Sequence, residues 1–436
     1  MAGRRRTTRS RCGSGVRRGL SGRAGVPSAV ALALALLVGC GGNAPPDAAR
    51  ADVQRMLERR AAAVVERNGA AYRATEAPTS SVAGQLATGA AEFVNLRGLP
   101  LSSWSYDLTA FHRSGDRATA EAALRYRIRG YDQAPVTAVR TLTLVRDDDR
   151  GWRVAADEPS KKGTEQLWEQ GRIVAVRGER SLVLGVGRSA KTLRAYAGLA
   201  DRAVPAVTEA WGEDWARRVV VVVPESLEGM AGLLGAPASG YRGIAAVTTG
   251  EVSEAKWGSP RPEAGGGQAE APADRIVVNP DAYAVLGDFG KQVVLTHETT
   301  HVATRADTNA ATPLWLSEGY ADWVGYRTTG RTAPEVAPEL HRAVAEGRAP
   351  AALPADSDFG FSDDAGRLAR AYEGGWLACR LIADHWGEVR LDEFYRAVGA
   401  HGKREGAVEG AMKEVLNTTP EKFTERWREY VRGQLG

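Results

Sequence analysis

The sequence predicts an α+β chain built from two folded parts, and three observations predict it. One amphipathic helical stretch from Val53 is followed by four runs of two-residue alternation ending near Ala155. Between Arg172 and Pro280 short apolar runs alternate with helical stretches, the pattern of a mixed sheet. From Asp288 onward the spacing is mostly helical, and it opens on His-Glu-Thr-Thr-His at 297–301. Periods of 3.6 and 2 are what separate helix from strand in a sequence. The boundaries read as a leader at 1–39, a tether at 40–52, an accessory domain at 53–158, a polar connector at 159–171 and a second domain at 172–436.

A chain of 436 residues with 43% hydrophobic content is long enough for two or three domains. Its formal charge of +4 comes from the leader, whose residues 1–39 hold eight arginines and no acid. Without them 49 basic residues face 53 acidic ones, so nothing in the balance argues for nucleic acid. The apolar run Ala29–Val38 is too short to span a bilayer, which needs roughly 20 residues. Basic residues followed by such a run make a secretory signal. Its end, Leu37-Val38-Gly39-Cys40, resembles the bacterial lipobox. That resemblance implies lipidation at Cys40 and a protein anchored on the extracytoplasmic face of the cell membrane. Cys12 leaves with the leader, so Cys379 is left without a disulfide partner and, in its apolar context, reads as a packing residue.

In the accessory domain Val53, Met56, Leu57, Ala61, Val64 and Val65 mark one helical face. Trp104, Tyr106 and Leu108 then alternate with polar residues, and Leu124, Tyr126 and Ile128 alternate with Arg125, Arg127 and Arg129. Val136–Val145 and Trp152–Ala155 read as two further strands. A helix followed by a curved antiparallel meander resembles the cone-shaped fold of the nuclear-transport-factor-two and cystatin-like superfamilies, a likeness of architecture without a motif. The arginine stripe reads as a solvated sheet face, with binding of an anionic partner as the lesser alternative.

The second domain starts with a hairpin, Arg172–Val176 and Ser181–Val186, and a helix from Ala190 to Ala210. The apolar strand Val219–Val223, a short helix at 226–234 and the strands Ile244–Thr248 and Arg275–Pro280 follow. Residues 258–273 are low in complexity and read as a surface loop. Asp288 reads as the cap of the next helix.

On that helix His297 and His301 stand four residues apart and so share a face, able to reach one metal ion. Glu298 is placed to take a proton from water beside it. Thr312-Pro313 starts a second helix that carries Glu318. His297, His301 and Glu318 make three protein ligands, which leaves a fourth position open as catalytic zinc sites do. Asp322, one turn beyond Glu318, is placed to accept the second N–H of a ligating histidine. His112, His341, His385 and His401 stand apart from this spacing and read as surface or packing residues.

HExxH followed by Trp315-Leu316-Ser317-Glu318-Gly319-Tyr320-Ala321 resembles the gluzincin metallopeptidases, the group of thermolysin and aminopeptidase N. The match is closest to small peptidase-MA-like proteins of bacterial envelopes. Tyr372-Glu373-Gly374-Gly375 is similar to their Y-E-K-G segment, which implies that Tyr372 donates to the oxyanion. The resemblance implies a Zn2+ cofactor, a peptide or protein substrate, hydrolysis by water with Glu298 as general base, and a substrate laid along the edge of strand Ile244–Thr248. Two positions depart from the pattern. The G-x-M-E-N motif that holds a free amino terminus has no counterpart, which favours an endopeptidase over an aminopeptidase. Position 374 is glycine where relatives carry lysine. The rival reading is a metal-containing envelope binding lipoprotein with little turnover, and the intact Glu298 argues against it.

Overall fold

The computed structural model describes residues 46–78, 86–147, 149, 151–161, 163–250, 273–360 and 365–436. The leader, Cys40 and nearly all of the loop read at 258–273 lie outside the described residues. Among the described residues no helix is long and apolar enough to cross a membrane.

Helix α1 (Pro46–Val65) starts seven residues ahead of Val53, so the stretch read as tether is helical from Pro46. Its face of Val53, Met56, Leu57, Ala61 and Val64 is buried, as the spacing predicts, but Val65, read as part of it, is exposed at the helix end, one position off the buried stripe. Helices α2 (Gly69–Arg73) and α3 (Leu86–Leu96) complete the helical side. The antiparallel meander β1 (Leu101–Ser114), β2 (Arg117–Ile128), β3 (Val136–Asp147) and β4 (Gly151–Pro159) curves against α1. Register shifts at Leu101/Ser103, Leu108/Ala110 and Thr143/Leu144 supply that curvature, since an extra residue on one strand bends it.

The apolar core of this domain encloses two arginines. Arg60 sits on the buried face of α1, its guanidinium over the Tyr72 ring at 3.9 Å and donating to Thr75 Oγ1 at 3.1 Å. Arg140 on β3 donates to Asp157 Oδ1 at 2.7 Å and lies 2.7 Å from Glu169. Buried charges persist only when paired in this way. The connector is also less polar than its composition suggests. It contains a helical turn, α4 (Leu167–Gln170), whose Trp168 is buried against Trp104 and Tyr126 at ring separations of 5.1 and 5.2 Å.

The second sheet has the order β5 (Val174–Arg177), β6 (Ser181–Gly185), β7 (Val219–Val223), β9 (Asp274–Val278), β8 (Ala246–Gly250). Strands β6, β7 and β9 run parallel, and β8 is antiparallel to β9 at the edge. Every residue of β6 and β7 is buried, because both faces are covered. Leu182, Leu184, Val220 and Val222 join the core that holds Trp104 and Trp168. Val183, Val219, Val221 and Val223 face α5 (Ala190–Trp211) in another cluster. The two sheets are further joined by a buried bidentate pair, with Arg275 Nη1 and Nη2 each 2.7 Å from the Asp132 carboxylate.

After α6 (Leu227–Leu234) and α7 (Pro280–Ala284) the chain is helical as expected. Helix α8 (Asp288–Thr304) takes Gly287 rather than Asp288 as its N-cap, and α9 (Leu314–Tyr326) takes Pro313 rather than Thr312. Asp288 still serves α8 from the first turn, where a carboxylate suits the helix dipole. Helices α10 (Ala333–Val336), α11 (Pro338–Ala345), α12 (Ala365–Trp386), α13 (Glu388–Ala400), α14 (Ala407–Val415) and α15 (Pro420–Leu435) form the remainder. Helix α9 lies at the centre of this bundle, with Trp315 through Ala321 all buried. Trp211 packs edge-on against Tyr320 and Tyr395, and Cys379 is fully buried, so both are packing residues.

Candidate metal centre

Helices α8 and α9 pack together and bring three donors to one point. His301 Nε2 lies 3.0 Å from His297 Nε2, and Glu318 Oε2 lies 3.2 Å from His297 Nε2 and 3.4 Å from His301 Nε2. Donors about 2.0–2.2 Å from a tetrahedral zinc stand roughly 3.3–3.5 Å apart. The three observed separations lie at or a few tenths of an ångström below that edge length, and the donor set of two imidazoles and one carboxylate is that of catalytic zinc sites. The residues present therefore fit the ion.

The electrostatics fit it as well. Burial works against charge on His297, but Asp322 and Glu318 outweigh it and raise the imidazole well above its usual value. Burial opposes charge on Glu318 too, and His301 and His297 overcome it, holding the carboxyl well below the usual range. The site thus holds negative charge for a cation. Asp322 Oδ1 lies 2.8 Å from His297 Nδ1 and fixes the tautomer that turns Nε2 toward the other donors.

Glu298 is 6% exposed and does not join the three donors. Thr248 on the edge strand β8 holds it, its Oγ1 being 2.6 Å from Glu298 Oε2 and 3.0 Å from the Glu298 carbonyl oxygen. The strand was legible in the sequence. The role of its threonine was not, because a lone hydroxyl about fifty residues upstream carries no pattern.

Tyr372 reaches the site from α12. Its ring centre is 6.3 Å from that of His297 and 5.2 Å from that of Phe359. Burial, reinforced by the carboxylates of Glu318, Asp322 and Glu298, raises the phenol well above its usual value, so it remains a donor. The rest of its segment is structural. Glu373 accepts from the backbone N–H groups of Glu339 (3.1 Å) and Leu340, capping α11. Glycine at 374 packs closely: a Cβ there meets Pro354 Cγ at 3.0 Å and Trp427 at 3.5 Å, so a larger residue requires Pro354 to give by a few tenths of an ångström. His341 Nδ1 lies 2.8 Å from the Leu435 carbonyl oxygen, a packing contact.

No protein-family model matches the chain, and no curated protein matches it in sequence. Among solved structures it is similar to native yeast LTA4 hydrolase, at 12% identity and a TM-score of 0.36, over 76% of this chain and 47% of that one. It is also similar to a mutant M1 zinc metallopeptidase from Deinococcus radiodurans bound to a Tyr-Ser-Ala substrate, at 12% identity and a TM-score of 0.31, over 77% and 61%. A further structure of that metallopeptidase gives 11% identity and a TM-score of 0.32, over 78% and 96%. The chain spans about half to three fifths of the length of the first two. Likeness at this level carries no weight on function, which rests on the donor set itself.

Proposed function

We propose that this chain is a zinc-dependent peptidase of the gluzincin type, exported and held at the extracytoplasmic face of the membrane by lipid on Cys40. The observation that carries the catalytic part is the convergence of His297, His301 and Glu318 at tetrahedral-edge separations, with a buried carboxylate, Glu298, beside them.

When bound, zinc supplies Lewis acidity toward water and the scissile carbonyl. Glu298 takes the proton of the attacking water and returns it to the leaving amine. Thr248 holds one oxygen of that carboxylate at 2.6 Å, which keeps the base aimed as it changes charge. Tyr372 donates its phenolic hydrogen to the oxyanion, a contribution typically worth ~10²–10³ in rate. Asp322 keeps His297 in the ligating tautomer. Strand β8 pairs with β9 on one side, and its other edge suits an extended substrate adding as a further strand. Such an edge binds backbone along its length, and with no G-x-M-E-N segment to grip an amino terminus this favours an endopeptidase.

Hydrolysis of a quenched peptide library by the wild type, by Glu298→Ala and after chelation tests the reading. Cleavage by zinc-loaded wild type, absent in the variant and after chelation, is the expected result. If wild type and Glu298→Ala are equally inert while both hold zinc, the enzyme reading fails and a metal-containing binding protein takes its place. Cleavage confined to peptides with a free amino terminus would replace the endopeptidase with an aminopeptidase.

A further inference from the structure

A cleft of about 170 Å³ opens in the accessory domain and shares no residue with the His297 site. Its apolar lining includes Phe93, Leu96 and Leu101. Arg67, Arg97, Arg129 and Arg177 stand around it. They come from four places in the chain: just beyond α1, just beyond α3, just beyond β2, and the last residue of β5 in the second sheet.

Some arginines elsewhere in the fold are paired with carboxylates, as Arg140 is with Asp157 and Arg275 with Asp132, and others rest on carbonyl oxygens, as Arg188 does on Glu225 and Arg396 on Trp211. None of these four has a carboxylate within 4.0 Å among the described residues. Three of the guanidinium groups rest on neutral partners instead. Arg97 lies over the Phe93 ring at 5.9 Å, Arg177 over Tyr131 at 5.6 Å, and Arg129 Nη2 donates to the Leu101 carbonyl at 3.1 Å. Arg67 has φ of 58°, a left-handed conformation in which glycine is the default, and it supplies the cleft with a fourth charge despite that cost. All four are exposed, so their positive charge stands where an anion from solution can reach it.

We propose that this cleft binds a small organic anion: a carboxylate or phosphate carried on an apolar body. Charge complementarity sets the head group, and guanidinium forks suit either oxyanion. The volume sets the body. A cavity of ~150 Å³ accepts one benzene ring, so a single ring or a short branched chain fills this one. The site is independent of the hydrolytic centre, and binding ties the accessory domain to β5 of the second sheet through Arg177.

Calorimetric titration of the metal-loaded protein with 3-phenylpropanoate, its neutral amide and acetate tests the proposal. The acid binds at least tenfold tighter than the amide, which lacks the charge, and than acetate, which lacks the ring. In Arg97→Gln/Arg177→Gln the acid loses at least tenfold in affinity, while peptide hydrolysis is unchanged. Arg67→Gly, which removes a charge and suits the left-handed backbone, weakens binding as it raises the melting temperature. Equal affinities for acid and amide, or an unchanged affinity in the arginine variants, would overturn it.

Discussion

Gly319 of α9 and Gly375 of α12 meet backbone to backbone. A Cβ on Gly319 lies 2.3 Å from the carbonyl carbon and oxygen of Gly375, and one on Gly375 lies 2.7 Å from the Trp315 carbonyl oxygen. Only hydrogen fits there, so the two helices approach more closely than side chains allow. Gly319 follows the ligand Glu318, and Gly375 is three residues from Tyr372. The crossing is thus what brings the phenol to the metal centre. Alanine at either position forces the helices apart, an overpacking cost of about 1–3 kcal/mol or more. Gly375→Ala is expected to lower the melting temperature by about 3–10 °C. It also lowers kcat/KM by up to ~10²-fold, because Tyr372 moves with α12. Full activity in a folded Gly375→Ala protein would remove Tyr372 from the mechanism.

Asp322 acts on the metal through His297. Replacing it with alanine frees the imidazole to rotate and to adopt the other tautomer, and loss of such a partner typically weakens metal affinity by ~10–100-fold. Competition with a chromophoric chelator measures this directly. Asp322→Asn keeps an acceptor without the charge and should fall between wild type and alanine. Equal zinc affinity in all three would reduce the 2.8 Å contact to a crossing of side chains without consequence.

The strands and long helices were legible because one face of each is apolar at a regular period, as with Trp104, Tyr106 and Leu108 on β1. The buried arginines were not. Arg60 stands on the apolar stripe of α1, and a charge there reads as a break in the stripe until Tyr72, Thr75 and Glu76 are seen around it. Helix α3 escaped as well, since Leu-Ala-Thr-Gly-Ala-Ala-Glu-Phe-Val-Asn-Leu carries its apolar face mostly on small residues, with Phe93 and Leu96 the large ones buried among the described residues. In the site, ligands spaced within one helix were readable from i,i+4 geometry, and their convergence follows from α8 packing on α9. Thr248, Gly319 and Gly375 act through tertiary contact, and no local spacing announces such contacts.

Thr248 is a positioning residue for the base. Its hydroxyl shares its hydrogen between Glu298 Oε2 and the Glu298 carbonyl oxygen. Hydrogen bonds to charged groups are worth about 1.5–3 kcal/mol, so Thr248→Val should lower kcat by ~10–100-fold. KM and zinc content should stay near wild type, because the methyl that replaces the hydroxyl keeps the strand and touches no metal ligand. Thr248→Ser restores the donor and most of the rate. A valine variant that instead raises KM at constant kcat would place Thr248 in substrate binding.

The stability contributed by three buried carboxyls should fall as pH rises from about 5 to 8. Burial pushes Glu373 up to about 7 in the folded protein, although the N–H groups of Leu340 and Glu339 pull the other way. Asp392, buried beside Tyr320, rises to about 6, and Glu92 in the accessory domain to about 8, again chiefly through burial. Each is bound to its proton more tightly in the folded state than in the unfolded one. Its contribution is therefore complete below the unfolded value near 4–4.5 and is lost as pH climbs through the folded value. For Glu373 the span from 4.5 to about 7 corresponds to at most ~3 kcal/mol. The measurement is a series of denaturant titrations on the zinc-loaded protein, read as the difference between wild type and Glu373→Gln at each pH, so that proton uptake at the metal ligands on unfolding cancels. Glu373→Gln mimics the protonated acid and retains an acceptor for α11. It should match wild type at pH 5, exceed it at pH 8, and flatten the slope between them by up to that amount. Parallel curves for wild type and variant would mean that the two backbone N–H groups, rather than burial, govern the Glu373 carboxyl.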